Sequence, residues 1–178
     1  MAAKQQKVKI PIPKGYNPAQ RKAIALEVID FIVRRTQGGK DKNNRAFPKY
    51  SKEYKQSLDF KNAGKSGQVN LTLSGDMLAD IELLKQQRGE LTVGFEGGTE
   101  TNARAEGNIL GTYGQKTSTG KKRDFLGLTK KALGKILKDF PLRDKEELAK
   151  KTAAIQKLIG KSEKISAGIV IEDIEEKL

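Results

Sequence analysis

The stretch "YNPAQRKAIALEVIDFIVRRTQGG", residues 16–39, constrains the fold more than any other part of the chain. Asn17 suits a helix cap, and Pro18 suits the first helical position, where its missing N–H would go unsatisfied anyway. Ala25, Val28, Ile29 and Ile32 then recur at helical spacing, with Ile24 and Phe31 widening the stripe. Gly38-Gly39 ends the element. A helix with one apolar face must be covered, so the rest of the chain has to supply the covering layer.

Shorter patterns follow. Tyr50, Tyr54 and Leu58 recur every four residues and predict a short helix from about Ser51, inside a lysine-rich loop. In "QVNLTLSGDML" the period changes to two, and Val69, Leu71 and Leu73 predict a half-buried strand. Ser74 or Asp76 then caps an expected helix carrying Met77, Leu78, Ile81 and Leu83 or Leu84, which Gly89 stops. "ELTVGF" predicts a second strand through Leu91, Val93 and Phe95, and "TNARAEGNILGTYG" at best a short helix. "RDFLGL", residues 123–128, predicts a third strand. Thr129 caps a helix with Leu133, Ile136, Leu137 and Phe140 on one face and Lys130, Lys131, Lys135 and Lys138 on the other. Pro141 breaks it, and Asp144 with Glu147 makes a capping box for another, carrying Leu148, Ile155, Leu158 and Ile159.

The fold class expected from this order is α+β: a small mixed or antiparallel sheet covered by two or three helices, with extended N- and C-terminal arms. Residues 1–16 form the first arm, since Pro11 and Pro13 obstruct regular pairing. Residues 17–140 form the domain, and 141–178 a C-terminal helix and tail extension.

Charge divides the chain unevenly. Residues 1–60 hold 14 basic and 5 acidic residues, and 121–164 hold 14 and 6. The centre is nearly neutral and the last fourteen residues are acidic. The net charge of +13 argues for anionic surroundings, either nucleic acid or an acidic protein neighbour. The chain has no cysteine and no histidine, which removes thiolate and imidazole metal sites, cysteine nucleophiles and histidine-based triads. No catalytic constellation can be assembled from what is left, so the expectation is not an enzyme, with no catalytic, cofactor or metal site. The first twenty residues lack the apolar core of a secretory leader, and no apolar run approaches the ~20 residues that span a bilayer, so a soluble protein made in a cytoplasm is expected.

Two tempting motifs fail. Gly64-Lys65-Ser66 and Gly160-Lys161-Ser162 lack the glycine five residues upstream that lets backbone amides wrap a phosphate; those positions are Asp59 and Ile155. The basic flanks are a more serious rival, for lysines can contact phosphates without reading sequence. Yet lysines opposite an apolar stripe are usually the wet face of a packed helix. The aromatics that could stack on bases, Phe47, Tyr50 and Tyr54, sit in a loop.

"YSKEYKQSLDF", then "VNLTLSGDML", then "RDFLGLT" together resemble the tailed-phage virion morphogenesis proteins, the tail-completion or head–tail joining family. The matching positions are Leu71, Ser74, Gly75, Met77 and Leu78, then Arg123, Phe125, Leu126, Gly127, Leu128 and Thr129. The resemblance covers about residues 18–138. Where the family often has Tyr-Ala-x-x-His-x-x-Gly, this chain reads "ARAEGNILGTYG", and its Lys122-Arg123-Asp124-Phe125 replaces Pro-x-Arg-Pro-Phe.

The resemblance implies a structural virion protein of the phage neck, a ring-forming tail-completion component that docks the tail to the capsid connector around the DNA channel. It would be found at the head–tail junction of the virion, and in host cytoplasm during assembly. Its partners would be further copies in a homo-oligomeric ring and other neck, connector and tail proteins, with non-specific contact to genomic DNA and no membrane. Both termini would then lie across neighbouring subunits. Lys121, Lys122, Lys130, Lys131 and Lys135 are the candidate contacts with DNA or a neighbouring subunit. The alternative is a small basic, sequence-neutral nucleic-acid-binding protein.

Overall fold

In the computed structural model, which describes residues 3–62, 67–72, 76–112 and 121–142, the first helix forms where its cap and stripe place it. Helix α1 runs Pro18–Gln37. The Gln20 backbone N–H donates to Asn17 Oδ1, and the Asn17 N–H donates to Gln20 Oε1, closing a capping box. Ile24, Ala25, Val28 and Ile32 are fully buried, and each large apolar side chain so buried contributes about 1.5–3 kcal/mol.

What α1 covers is a three-stranded antiparallel sheet of order β1-β3-β2, with β1 Lys7–Pro11, β2 Glu82–Gln87 and β3 Glu90–Gly94. Helix α1 packs against β2 and β3. On the central strand Leu91 and Val93 are fully buried, and their partners on β1 are Ile10 and Val8. The other helices among the described residues are α2 Lys52–Gln56, α3 Leu58–Asn62, α4 Asp76–Ala79, α5 Glu100–Leu110 and α6 Lys130–Lys138. The fold is therefore α+β, as its element pattern predicts.

Four local expectations are corrected. Residues 7–11 are extended, but they pair along their whole length with Glu90–Gly94 and so belong to the sheet. The prolines permit this because β1 is an edge strand, where a missing donor costs no ladder bond. At Gly94 the two strands close so tightly that a Cβ there would stand 2.3 Å from the Gln6 carbonyl oxygen. Only glycine fits.

Residues 69–72 form no strand. Leu71 adopts a left-handed conformation, φ 54°, and the Thr72 N–H donates to Asn70 Oδ1. A local asparagine turn wins over the alternating pattern.

The helix expected after Asp76 stops after one turn. Glu82–Gln87 instead forms β2, joined to β3 through Arg88-Gly89, with Gly89 at φ 91°. Helix-favouring residues are overridden here because the second edge of β3 needs a partner. The extra residue at Leu83–Leu84 is taken up as a bulge. β2 is itself an edge strand, and its exposed Glu82, Lys85, Gln86 and Gln87 suit that place.

Residues 123–128 form no strand, although Arg123, Phe125, Leu126 and Gly127 are buried. Two further elements differ in detail. The Ser51-capped helix breaks at Ser57, leaving Leu58 74% exposed, and Phe60 rather than Leu58 completes the cluster with Tyr50 and Tyr54. Helix α5 runs eleven residues between its Thr99 cap and left-handed Gly111, longer than its weak periodicity predicts.

The chain divides into two units, 1–140 and 141–178. The second unit lies, beyond its first two residues, outside the described residues. So do the helix expected over Asp144–Gly160, the tail 165–178, Leu73, Ser74, Gly75 and both Gly-Lys-Ser tripeptides.

Candidate functional site

The stretch that carries the second signature, residues 121–130, crosses from the end of α5 to the start of α6. Its backbone is held by donors that no strand supplies. The Arg123 N–H donates to the Asn108 carbonyl (2.8 Å), and the Lys42 N–H donates to that of Asp124 (2.8 Å). Arg35, from the last turn of α1, then donates Nη2 to the Phe125 carbonyl and Nη1 to the Gly127 carbonyl (2.7 Å). One guanidinium fork thus replaces two ladder bonds. Gly127, at φ 137°, turns the chain in a conformation that side chains disfavour. That is why the expected third strand does not form.

Apolar residues close the segment from the other side. Phe125 is fully buried, with its ring edge-on to Phe95 at 6.2 Å, and Leu126 is buried beside it. Leu128 packs partly buried on the same core. Arg123 is buried too: it places its guanidinium 5.0 Å from the centre of the Tyr50 ring and donates to the Pro48 carbonyl. Phe47 is buried in the core. The aromatics that could have stacked on bases are therefore engaged in the fold.

Burial lowers the pKa of the Arg35 guanidinium from its ordinary value, and Asp41 and Asp124 pull it back. Lys42 pairs with Asp124 at 2.6 Å beneath the same segment. Burial also raises the Tyr50 phenol above its ordinary value, against the opposing Arg123 charge and the backbone N–H groups of Asn70 and Leu71. Glu53, in the first turn of α2, is held below the usual carboxylate range by its own backbone N–H and the Ser51 hydroxyl, with Lys121 adding to the effect.

The signature residues divide accordingly. Met77, Leu78, Arg123, Phe125, Leu126 and Gly127 are buried, Leu71 and Leu128 partly so. The candidate contact residues stand outside: Lys122, Lys130, Lys131 and Lys135 are exposed and Lys121 half-exposed. Thr129 caps α6 through its side chain, which accepts from the Ala132 N–H. The apolar face of α6, centred on Ile136, turns inward, and α6 lies against α1. Lys130, Lys131, Lys135 and Lys138 occupy its outer face with no ion pair among the described residues.

Arg35 is the residue that sequence reasoning passes over. The signal was there: it continues the buried line Val28, Ile32 at helical spacing, and a cation on an apolar stripe needs acceptors inside. Among the described residues no His, Cys, Asp or Glu cluster could hold a metal ion, and no helix is long and apolar enough to cross a membrane. Compared with models of protein families, with curated proteins and with solved structures, the chain finds no match in any of the three.

Proposed function

We propose that this chain is a structural, non-enzymatic component of the tailed-phage neck, a head–tail joining or tail-completion protein that works as a ring of copies around the DNA path. The observation that supports the reading is the division of labour around residues 121–138. The signature Arg-x-Phe-Leu-Gly-Leu is consumed in packing and backbone hydrogen bonds, and the charge beside it is left on an outer helical face. A protein whose motif builds a scaffold and whose outward chemistry is only charge is suited to being placed between other macromolecules. The test is quantitative mass spectrometry of purified particles of the phage that encodes it. Recovery at a small ring multiple of the portal's copy number supports the reading. Abundance in infected cells with absence from particles rejects it.

The lysines of α6, which make no ion pair among the described residues, favour one second reading, a small basic protein that binds nucleic acid without regard to sequence. In that case the isolated chain binds DNA with an affinity falling steeply and linearly in log salt, to the same extent for unrelated sequences.

A further inference from the structure

The described domain carries two unneutralised surfaces of opposite sign. One is the outer face of α6. At 3.6 residues per turn Lys131, Lys135 and Lys138 share a sector of about 60°. Gly134 lies at the edge of that sector, and a Cβ there would meet nothing within 4 Å, so a partner can approach the helix backbone beside the lysines. The other is a cavity of about 340 Å3 lined by Ala79, Asp80, Glu82, Glu96, Thr99 and Thr101. Asp80, Glu82 and Glu96 are exposed, and none is in an ion pair among the described residues. The two hydroxyls are already committed: Thr99 Oγ1 caps α5 and accepts from Thr101 Oγ1. The free chemistry of the cavity is three carboxylates, which ask for ammonium groups.

The two surfaces do not overlap. Helix α6 lies against α1, whereas the cavity is lined from the end of α4 and the start of β2, from Glu96 beyond β3, and from the start of α5, and the two share no residue. Complementary patches at separate places on one molecule make a heterologous contact, which joins copies head to tail and closes into a ring when the rotation allows.

We infer that the lysine face of α6 on one copy docks on the carboxylate-lined cavity at Asp80, Glu82 and Glu96 of the next. The occupant is a second copy of this chain because the chain itself offers what the cavity lacks, several ammonium groups on one helix that make no ion pair among the described residues. This deepens the ring reading proposed above and rests on it.

Charge reversal on the full chain tests it. The Lys131→Glu/Lys135→Glu variant has an acidic face and an acidic cavity; Glu82→Lys/Glu96→Lys has a basic face and a basic cavity. In sedimentation velocity over a concentration series the unaltered chain self-associates, more weakly at high salt. Each variant alone associates about tenfold more weakly or worse, since attraction becomes like-charge repulsion. Mixing the two variants, or combining all four changes in one chain, restores association, a result that neither misfolding nor loss of a merely structural residue produces. Three results overturn the inference: a chain that stays monomeric throughout, association indifferent to both reversals, or loss that neither mixing nor combination repairs. Loss of DNA affinity in the lysine variant with self-association intact assigns that face to nucleic acid and overturns it too. The copy number in particles is independent of all these, so a true neck protein with a different ring contact is told apart from a chain that is no neck protein.

Discussion

The buried arginines and the exposed lysines of this domain have the same formal charge and opposite uses. Arg35 and Arg123 are inside, their planar forks spent on carbonyls of a segment with no strand to pair with and on aromatic faces. The lysines of α6 are outside and make no ion pair among the described residues. The difference follows from hydration and geometry. A guanidinium is weakly hydrated and offers donors in a fixed fork, so it can serve two buried acceptors at once. An ammonium is a strongly hydrated point charge that is costly to bring inside. Replacing one kind by the other should therefore fail in the interior and pass unnoticed at the surface.

The largest effect is expected at Arg35. Arg35→Met leaves two buried carbonyls unpaired and should cost about 3–4 kcal/mol in urea unfolding. Arg35→Lys should recover less than half of it, because one ammonium cannot span the Phe125 and Gly127 carbonyls in the same geometry. A cost under about 1 kcal/mol for Arg35→Met would show that the apolar contacts of Phe125 and Leu126 hold the segment unaided.

Next comes Arg123→Met, at about 1–2 kcal/mol for a ring contact and a long hydrogen bond. It carries a pH signature. The folded-state pKa of Tyr50 is raised, so its contribution to stability is fully present below about pH 10 and is lost as pH rises beyond. Arg123 opposes that rise, so removing it should push tyrosinate formation to still higher pH and steepen the alkaline loss of stability. Tyrosinate absorbance and circular dichroism followed in one titration check both. An unchanged Tyr50 titration would separate the two groups electrostatically.

The smallest effect belongs to the outer lysines. Changing Lys131, Lys135 and Lys138 to Gln should shift unfolding by no more than about 0.5 kcal/mol. A larger loss would mean that they are part of the fold rather than a surface offered to something else.

The legibility of the fold in the sequence follows the same line between local and distant causes. Helices α1 and α6 were readable because cap, stripe and stop all agree within the segment: Asn17 with Pro18 and Gly38, and Thr129 with Ile136 and Pro141. Strand β3 was readable from Leu91, Val93 and Phe95. The failures are elements whose partner lies far away. "ELLKQQ" reads as helix by itself and is a strand because β3 has an open edge. "RDFLGL" reads as a strand and is not one because Arg35, 90 residues from Phe125, takes its carbonyl. At the candidate site the lysines could be named from spacing alone. The carboxylates of the cavity could not, since Asp80, Glu82 and Glu96 are brought together by the sheet and show no pattern in the chain.

Strand β1 also sets the order in which the protein can come into being. Its register is Lys7 with Gly94 through Pro11 with Glu90, and just before it the Gln6 N–H donates to Asn102, 96 positions along the chain. During synthesis the first strand therefore leaves the ribosome long before its neighbour exists. The β2–β3 hairpin can close quickly through Arg88-Gly89, but its other edge stays open until the N-terminal residues return to it. Closing so long a loop is the entropic step that slows folding in proteins built on distant pairings. In that interval β3 presents an open edge of unpaired backbone groups, so the speed with which a chain recovers its own first strand sets how long that edge stays exposed.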